Sequence, residues 1–562
     1  MTYPDIHNPD LLDRIPLGAK LVLDIGCGTG ALGAEYKRRN PRAHFIGVER
    51  DQAAARIAAT RLDAVFEADL DRNPLPFADR IAPGSLDCLI YGDILEHVVD
   101  PWAVLGAHAP LLSPDGIVLI CMPNQEHWSF AERLLRGTWD YEQSGLLDRT
   151  HLRWFSADGT ARLLRGAGLV PVDVAPRVFN AEAADAFVDA MVPSLQRLGI
   201  DVAHYRERAA PLQHVWRAQR RRPQRLPLVS TMLSPVGGVS HVRVAEPMQA
   251  LVAEPSLVAR VISHGQPLPD ESEPPGIFVF HRPLLAGDGG LERVRPLLAG
   301  GWLIVCEFDD HPDYIPVLQR PDVLNFRAVH AVQTSTEPLA EVLRRDNPEV
   351  KVFPNGVWRI PEPANHTEPG RITLLFAGLN REQEWPPYLD ALNAVAAKAG
   401  ERLHFVIVND RGLHERLATP HKTFVPLCGY DTYQRLLASS EISFMPLLDT
   451  PFNRCKSDLK FIEAASFRVA ALASATVYEN TIEDGRTGVL FRSPEELAQR
   501  LLRLVANPEV ARTIGDAARA YVARHRMLAY DVADRVAWYH DLWARRAELH
   551  QALLARVPAL AA

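Results

Sequence analysis

The stretch LVLDIGCGTGALG at residues 21–33 decides how the front of this chain folds. An apolar run with an acid at Asp24 meets Gly26, Gly28 and Gly30, and a helix-length segment follows. That order reads as a buried parallel strand, a tight glycine turn and a helix. Glycines let backbone approach a ligand closely. The spacing is G-x-G-x-G, not the G-x-G-x-x-G of a dinucleotide fingerprint, so the loop does not read as a typical NAD site. Glu49 ends the next apolar run, HFIGVE, where a carboxylate is placed to accept two ribose hydroxyls.

The whole chain has 562 residues, enough for three or four globular units, and its 47% hydrophobic content supports buried cores. A net charge of −8 with interleaved signs argues against nucleic acid as a partner. The basic run RRRPQR at 220–225 reads as a solvated linker, with a lipid or polyanion contact as the alternative. Cys27, Cys88, Cys121, Cys306, Cys428 and Cys455 form no C-x-x-C pair and read as reduced packing residues. No leader pattern opens the chain and no apolar run is of membrane-spanning length. The expected location is the cytoplasm, with peripheral contact at the inner face of a membrane as an addition.

Outward from the glycine loop, short apolar runs alternate with helix-length segments, which predicts α/β folds with parallel sheets. KLVLDIG, HFIGVE, AVFEAD, LDCLIYGD, GIVLICMP and QHVWRAQ are the strands expected in the first part. The pattern restarts at LPLVSTML, runs to the turn FPNGVW at 353–358, passes the proline-containing linker RIPEPANHTEPGR, and restarts again at ITLLFAG. Four segments follow: 1–224, 225–362, 363–530, and 531–562, the last a helix packing back through Val532, Val536, Tyr539 and Trp543.

Asp69 follows the third run and YGDILEHV, residues 91–98, follows the fourth. With these in order after the glycine loop, residues 15–220 resemble the class I S-adenosylmethionine-dependent methyltransferases, a Rossmann-like fold. GTWDYEQSGLLDRTHLRWFS at 137–156 resembles a segment of those members that accompany carbohydrate-modifying domains. The resemblance implies that Asp24, Gly26, Gly28 and Gly30 surround the methionine part and ribose of the cofactor. Glu49 would hold the ribose, Asp69 and Leu70 the adenine, and Asp93 would lie beside the methyl donor. His97 is either the catalytic base or an orienting residue bonded within the Glu96–His97 pair. His151 is the other imidazole, and Asp148, Arg149, Arg153, Trp139 and Tyr141 beside it offer a charged, aromatic-walled acceptor pocket.

In the last third, PFNRCKSDLKFIEAASF at 451–467 places Lys456, Lys460 and Glu463 along one side of a helix expected to begin near Ser457. A helix N-terminus with lysines suits phosphate. With two α/β halves before it, this arrangement resembles the GT-B glycosyltransferases of the group-1, family-4-like class over residues 226–550. Glu463 matches the second glutamate of that class's E-x7-E pattern, which binds the ribose of a nucleotide sugar; Cys455 stands where the first belongs. The resemblance implies that Gly237 and Gly238, in SPVGGVSHVR, approach the donor phosphates, and that Arg381 with Lys456 or Lys460 offsets the leaving diphosphate. His281, in FHRP, either touches the transferred sugar or is structural. Asn355 and Gly356 read as a hinge. The acidic cluster EFDDHPD at 307–313 is not expected to bind a metal, and no metal is expected elsewhere.

The expectation for the whole chain is a bifunctional enzyme. One domain uses S-adenosylmethionine, the other a nucleotide-sugar donor, and the acceptor is a growing glycan or lipid-linked glycan. The alternatives are a non-catalytic GT-B-like module beside an active methyltransferase, or a lipid or small-metabolite methyl acceptor. Oligomeric state is left open.

Overall fold

In the computed structural model, residues 5–233, 237–263, 265–270, 272–363 and 370–561 are described. Ser234, Pro235 and Val236 of the expected phosphate loop, and 364–369 of the expected linker, lie outside them. The chain divides into two compact units, residues 1–225 with 253–256, and residues 226–252 with 257–562. No helix among the described residues is long and apolar enough to cross a membrane.

The first unit is one seven-stranded sheet with the order β3-β2-β1-β4-β5-β7-β6. Its strands are β1 (Leu21–Ile25), β2 (His44–Glu49), β3 (Ala64–Glu67), β4 (Leu86–Gly92), β5 (Leu112–Pro123), β6 (Val170–Arg177) and β7 (Gln213–Gln219). Strands β1 to β5 are parallel, with helices crossing between β1 and β2, β2 and β3, and β4 and β5 and a loop between β3 and β4; β7 runs antiparallel to both β5 and β6. The sheet is therefore mixed, not wholly parallel, and β6 was missed in the sequence because VPVDVAPR carries two prolines and a half-exposed face. Leu23, Ile25, Leu89, Tyr91, Val118 and Ile120 meet in one core on the sheet, and Val22, Phe45, Cys88, Ile90 and Cys121 in another. All six cysteines of the chain are free thiols and all but Cys428 are buried, consistent with packing.

The second unit holds two six-stranded, wholly parallel sheets. The first contains β8 (Leu226–Met232), β9 (Leu257–Ser263), β10 (Ile277–His281), β11 (Leu303–Glu307), β12 (Ala331–Thr334) and β13 (Val350–Val352), ordered β13-β12-β11-β10-β8-β9. The second contains β14 (Ile372–Ala377), β15 (Leu403–Val408), β16 (Lys422–Val425), β17 (Ile442–Met445), β18 (Ala470–Ser474) and β19 (Val489–Phe491), ordered β16-β15-β14-β17-β18-β19. The strand order reverses beside β8 in one sheet and between β14 and β17 in the other. Crevices at the carboxyl ends of strands open at such reversals, which is where ligands bind in open α/β sheets.

The chain ends in two helices, Val532–Ala544 and Arg546–Arg556, where the apolar spacing predicted one. Arg545 breaks the run and turns its guanidinium to Glu349, at 2.8 Å. Leu553, Val557 and Leu560 then enter the core of the first sheet beside Val229, Phe278 and Ile304.

Candidate functional sites

In the first unit the glycine loop is forced into its shape. Gly26, Gly28 and Gly30 have φ of 75°, 54° and 76°, a region that side chains with a Cβ avoid. A Cβ on Gly26 would lie 2.8 Å from the Ile94 side chain. Gly30 caps the helix Ala31–Arg39, whose N-terminus thus starts beside the loop. Glu49 is fastened to the loop, its carboxylate accepting from Gly28 N–H at 2.9 Å and Asp51 N–H at 2.8 Å. Asp24 is buried below it; burial, and then the Glu49 charge, push its carboxyl up to about 8.

A cavity of about 550 Å³ opens at these strand ends. Asp24, Gly26, Gly28, Glu49, Asp69, Leu70, Asp93 and His97 all line it; Gly30 and His151 do not. Three further contributors have no local signature in the chain. Ile6, His7 and Asn8 line the cavity from the N-terminal segment, and Asp5 is tied down by Thr29 Oγ1 at 2.9 Å and by Arg61. Arg177, from β6, lines it as well. Gln213, at the start of β7, donates to Asp93 Oδ1 at 2.5 Å, and Asp93 has the left-handed φ of 55°. Burial raises the Asp93 carboxyl, so this neutral donor suits either charge state.

His97 is not bonded within the Glu96–His97 pair. Its Nδ1 faces Thr150, 3.0 Å from Oγ1 and 3.2 Å from the carbonyl, and Thr150 Oγ1 donates to Asp148 at 2.6 Å. The 137–156 segment is docked there because the Glu96 carbonyl accepts from Leu152 N–H and Arg153 N–H. His151 follows, its ring 4.7 Å from that of His97 and edge-on to it. Burial lowers both imidazoles, so each is neutral at pH 7 and has a lone pair to offer. Glu96 is buried, with neither carboxylate oxygen hydrogen-bonded among the described residues, and burial pushes its carboxyl well up. Ligand atoms of Glu96, His97 and His151 lie within 4.8 Å of one another. That donor set fits a divalent cation. Trp139 and Tyr141, expected as pocket walls, are exposed, with Trp139 against Phe130.

In the second unit the two halves meet around Glu463. The helix runs from Leu459 to Ser466, close to the expected start near Ser457, and Asp458 before it is held by Arg526 at 2.7 Å. Lys456 therefore precedes the helix and does not share its face. It reaches across to Asp310 of the other half, forming an ion pair, and lies over the Phe452 ring. Asp309 and Asp310 also hold Arg282 at 2.6 and 2.8 Å, so the acidic cluster at 307–313 is engaged with cations of the protein.

Glu463 is buried with both oxygens accepting, from Tyr430 at 2.9 Å and Tyr433 at 3.0 Å. Burial raises its carboxyl and lowers the ammonium of Lys460, which lies over the Tyr433 ring. Arg381 follows β14 and contacts Asn453 at 3.4 Å and Glu384 at 3.7 Å, beside the reversal between β14 and β17. Gly238 sits against the Tyr430 ring. His281 is wholly buried in β10, away from solvent, an environment that suits the structural of its two readings. Asn355 is held by Arg243 and Ser457, and Gly356 is pressed on Leu528, so the expected hinge is tightly tied. Cys455 is buried in the core, its carbonyl accepting from Thr336.

A family model described as a methyltransferase domain matches residues 8–174, and one described as glycosyl transferase-like matches residues 390–538. The ubiquinone biosynthesis O-methyltransferase of Dinoroseobacter shibae is 33% identical over 178 residues, which are 31% of this chain and 69% of that protein. That of Neisseria meningitidis serogroup C is 33% identical over 190 residues, 31% of this chain and 74% of that protein. Among solved structures, sucrose-phosphate synthase from Thermosynechococcus elongatus superposes with a TM-score of 0.41 at 14% identity, covering 57% of this chain and all of that one. S. aureus TarM in complex with UDP gives 0.37 at 13% identity over 48% of this chain, which spans just over half, 55%, of the TarM chain. The chain belongs to the S-adenosylmethionine-dependent methyltransferases and carries a glycosyl transferase-like domain in the same polypeptide. It is a bifunctional methyl- and glycosyl-transferring enzyme.

Proposed function

We propose that both domains serve one acceptor, a growing surface glycan or lipid-linked glycan, the second adding a sugar from a nucleotide-sugar donor and the first methylating a hydroxyl. The single observation behind this reading is the presence of both kinds of site in one polypeptide. Expected cytoplasmic location and peripheral membrane contact belong to the same proposal.

In the methyltransferase site left-handed Gly26 and Gly28 and the Glu49 carboxylate line one open cavity, and this bare backbone beside an acid fits S-adenosylmethionine. Bound there, it supplies an electrophilic methyl group. Glu49 keeps free lone pairs for ribose hydroxyls while Gly28 and Asp51 N–H fix its position. Asp69 and Leu70 offer the adenine end of the cavity, and Asp93, oriented by Gln213, the methyl end. Neutral His97, aligned by Thr150, takes the acceptor hydroxyl proton at Nε2. In the other domain Glu463 binds the donor ribose, presented by Tyr430 and Tyr433, while Arg381, Lys456 and Lys460 offset charge on the departing diphosphate. Gly237 and Gly238 belong to the approach to the phosphates.

The second reading replaces the glycan by a phenolic or quinone-like methyl acceptor. The resemblance in sequence to ubiquinone biosynthesis O-methyltransferases favours it. Labelled methyl transfer separates the two. Label in glycan only after incubation with both donors supports the shared acceptor; label in a catechol with no dependence on nucleotide sugar supports the alternative and removes the first reading.

A further inference from the structure

The segment entering the second unit's cleft after β8 is helical with an irregularity. Gly238–Ser240 and Glu246–Val252 are α-helical, but His241–Ala245 form a π turn in which Glu246 N–H donates to the His241 carbonyl. The extra residue changes which side chains share a face. In an α-helix, residues five apart are rotated by about 140°, whereas a turn closed from i to i+5 stacks them. Glu246 thus stands on the side of His241, whose ring stacks on Tyr430 of the opposite half at 4.8 Å. Tyr430 in turn holds Glu463. Single π turns recur at functional sites because they re-aim side chains in this way.

We propose that Glu246 is the base that receives the acceptor hydroxyl proton during glycosyl transfer, supplied from the half opposite the donor. The proposal rests on the glycosyl-transfer reading of this unit. The acceptor O–H bond breaks and its proton passes to the Glu246 carboxylate. The acceptor oxygen bonds to the sugar's anomeric carbon, and the bond from that carbon to the diphosphate breaks with its electron pair leaving on the diphosphate.

The surroundings leave the group available. Among the described residues no hydrogen bond or ion pair engages the Glu246 side chain. Arg243, in the same π turn, is committed to Glu307 at 2.8 Å and to Asn355 at 2.9 Å. The helix Val532–Ala544 packs on Glu246–Val252, but its Arg535 lies over Phe353 and its Tyr539 bonds Gln333. Arg260 of neighbouring β9 pairs with Glu273. Across the cleft stand Tyr430, Tyr433, Glu463 and Lys460, with Lys460 set against Glu463. Burial, and then the Glu463 charge, raise the Glu246 carboxyl to about 8, strong enough as a base to accept a proton near the working pH.

The test measures nucleoside diphosphate released from UDP-glucose, UDP-N-acetylglucosamine and GDP-mannose with water as acceptor, and UDP binding by calorimetry. It uses the full chain, Glu246→Gln and Glu246→Asp. The expected result is a wild-type kcat that climbs through pH 8, a fall of about 100-fold in Glu246→Gln with UDP affinity within about two-fold of wild type, and partial activity in Glu246→Asp. Wild-type kcat in Glu246→Gln overturns the proposal alone, as does a parallel loss of UDP affinity, which makes Glu246 a donor ligand. Wild-type protein that binds UDP and turns over none of the three donors removes the glycosyl-transfer reading, and the base with it.

Discussion

Lys456 and Asp310 form an ion pair that joins the two halves of the glycosyltransferase domain, each about one-fifth exposed. The lysine expected to meet the donor diphosphate is thus engaged by an acid of the other half, so donor and Asp310 compete for it. A pair of this exposure is worth about 1 kcal/mol. Asp310→Asn is expected to raise UDP affinity roughly five-fold, and Lys456→Ala to lower it, both read by calorimetry. A drop in affinity with Asp310→Asn defeats the competition argument.

The glycine loop makes a prediction specific to the other domain. Gly28→Arg places a long side chain at φ 54° inside the cofactor cavity. S-adenosylmethionine binding is expected to weaken by at least about 100-fold while UDP binding stays unchanged. Gly26→Ala, which meets Ile94, is expected to cost about 1–2 kcal/mol of stability in chemical denaturation.

Gln213 tests a contact between residues 120 positions apart. Its amide donates to the carboxylate of Asp93, whose backbone is left-handed. Gln213→Ala is expected to weaken S-adenosylmethionine binding about ten-fold, since Asp93 loses its buried partner, with melting temperature within a few degrees of wild type. Unchanged affinity shows that Asp93 is positioned by its backbone alone.

Asp24 carries a pH dependence. Its carboxyl is raised from 3.8 to about 8 by burial, so the folded protein binds a proton that the unfolded chain has released. The stabilisation is complete below the unfolded value and is lost as pH rises towards 8, by at most about 1.4 kcal/mol per pH unit. Melts of the ligand-free protein between pH 5 and 8.5 are expected to fall more steeply for wild type than for Asp24→Asn. Parallel curves mean that Asp24 is charged in the folded state.

Local patterns alone carried a definite part of the fold. Strand β1, the glycine turn and Glu49 were legible because a parallel strand buried on both faces reads as an apolar run, and because left-handed turns need glycine. The order of acids at the ends of β1, β2 and β3 followed, since a strand's carboxyl end projects its terminal side chains into the crevice. The two restarts of the α/β pattern were legible for the same reason. The Asp458–Arg526 pair at the start of the Glu463 helix is a long-range contact with no local signature, and it was not legible.

Which distant side chains meet depends on how the elements pack. Gln213 reaches Asp93 because β7 runs antiparallel beside β5, a pairing that no local pattern specifies. His151 joins Glu96 and His97 because the 137–156 segment docks by backbone hydrogen bonds on one carbonyl. Lys456 turns to Asp310, and the His241 ring to Tyr430, through contacts between residues far apart in sequence. Hydrophobic periodicity fixes which face of an element is buried; it carries no information about which polar groups the buried faces bring together.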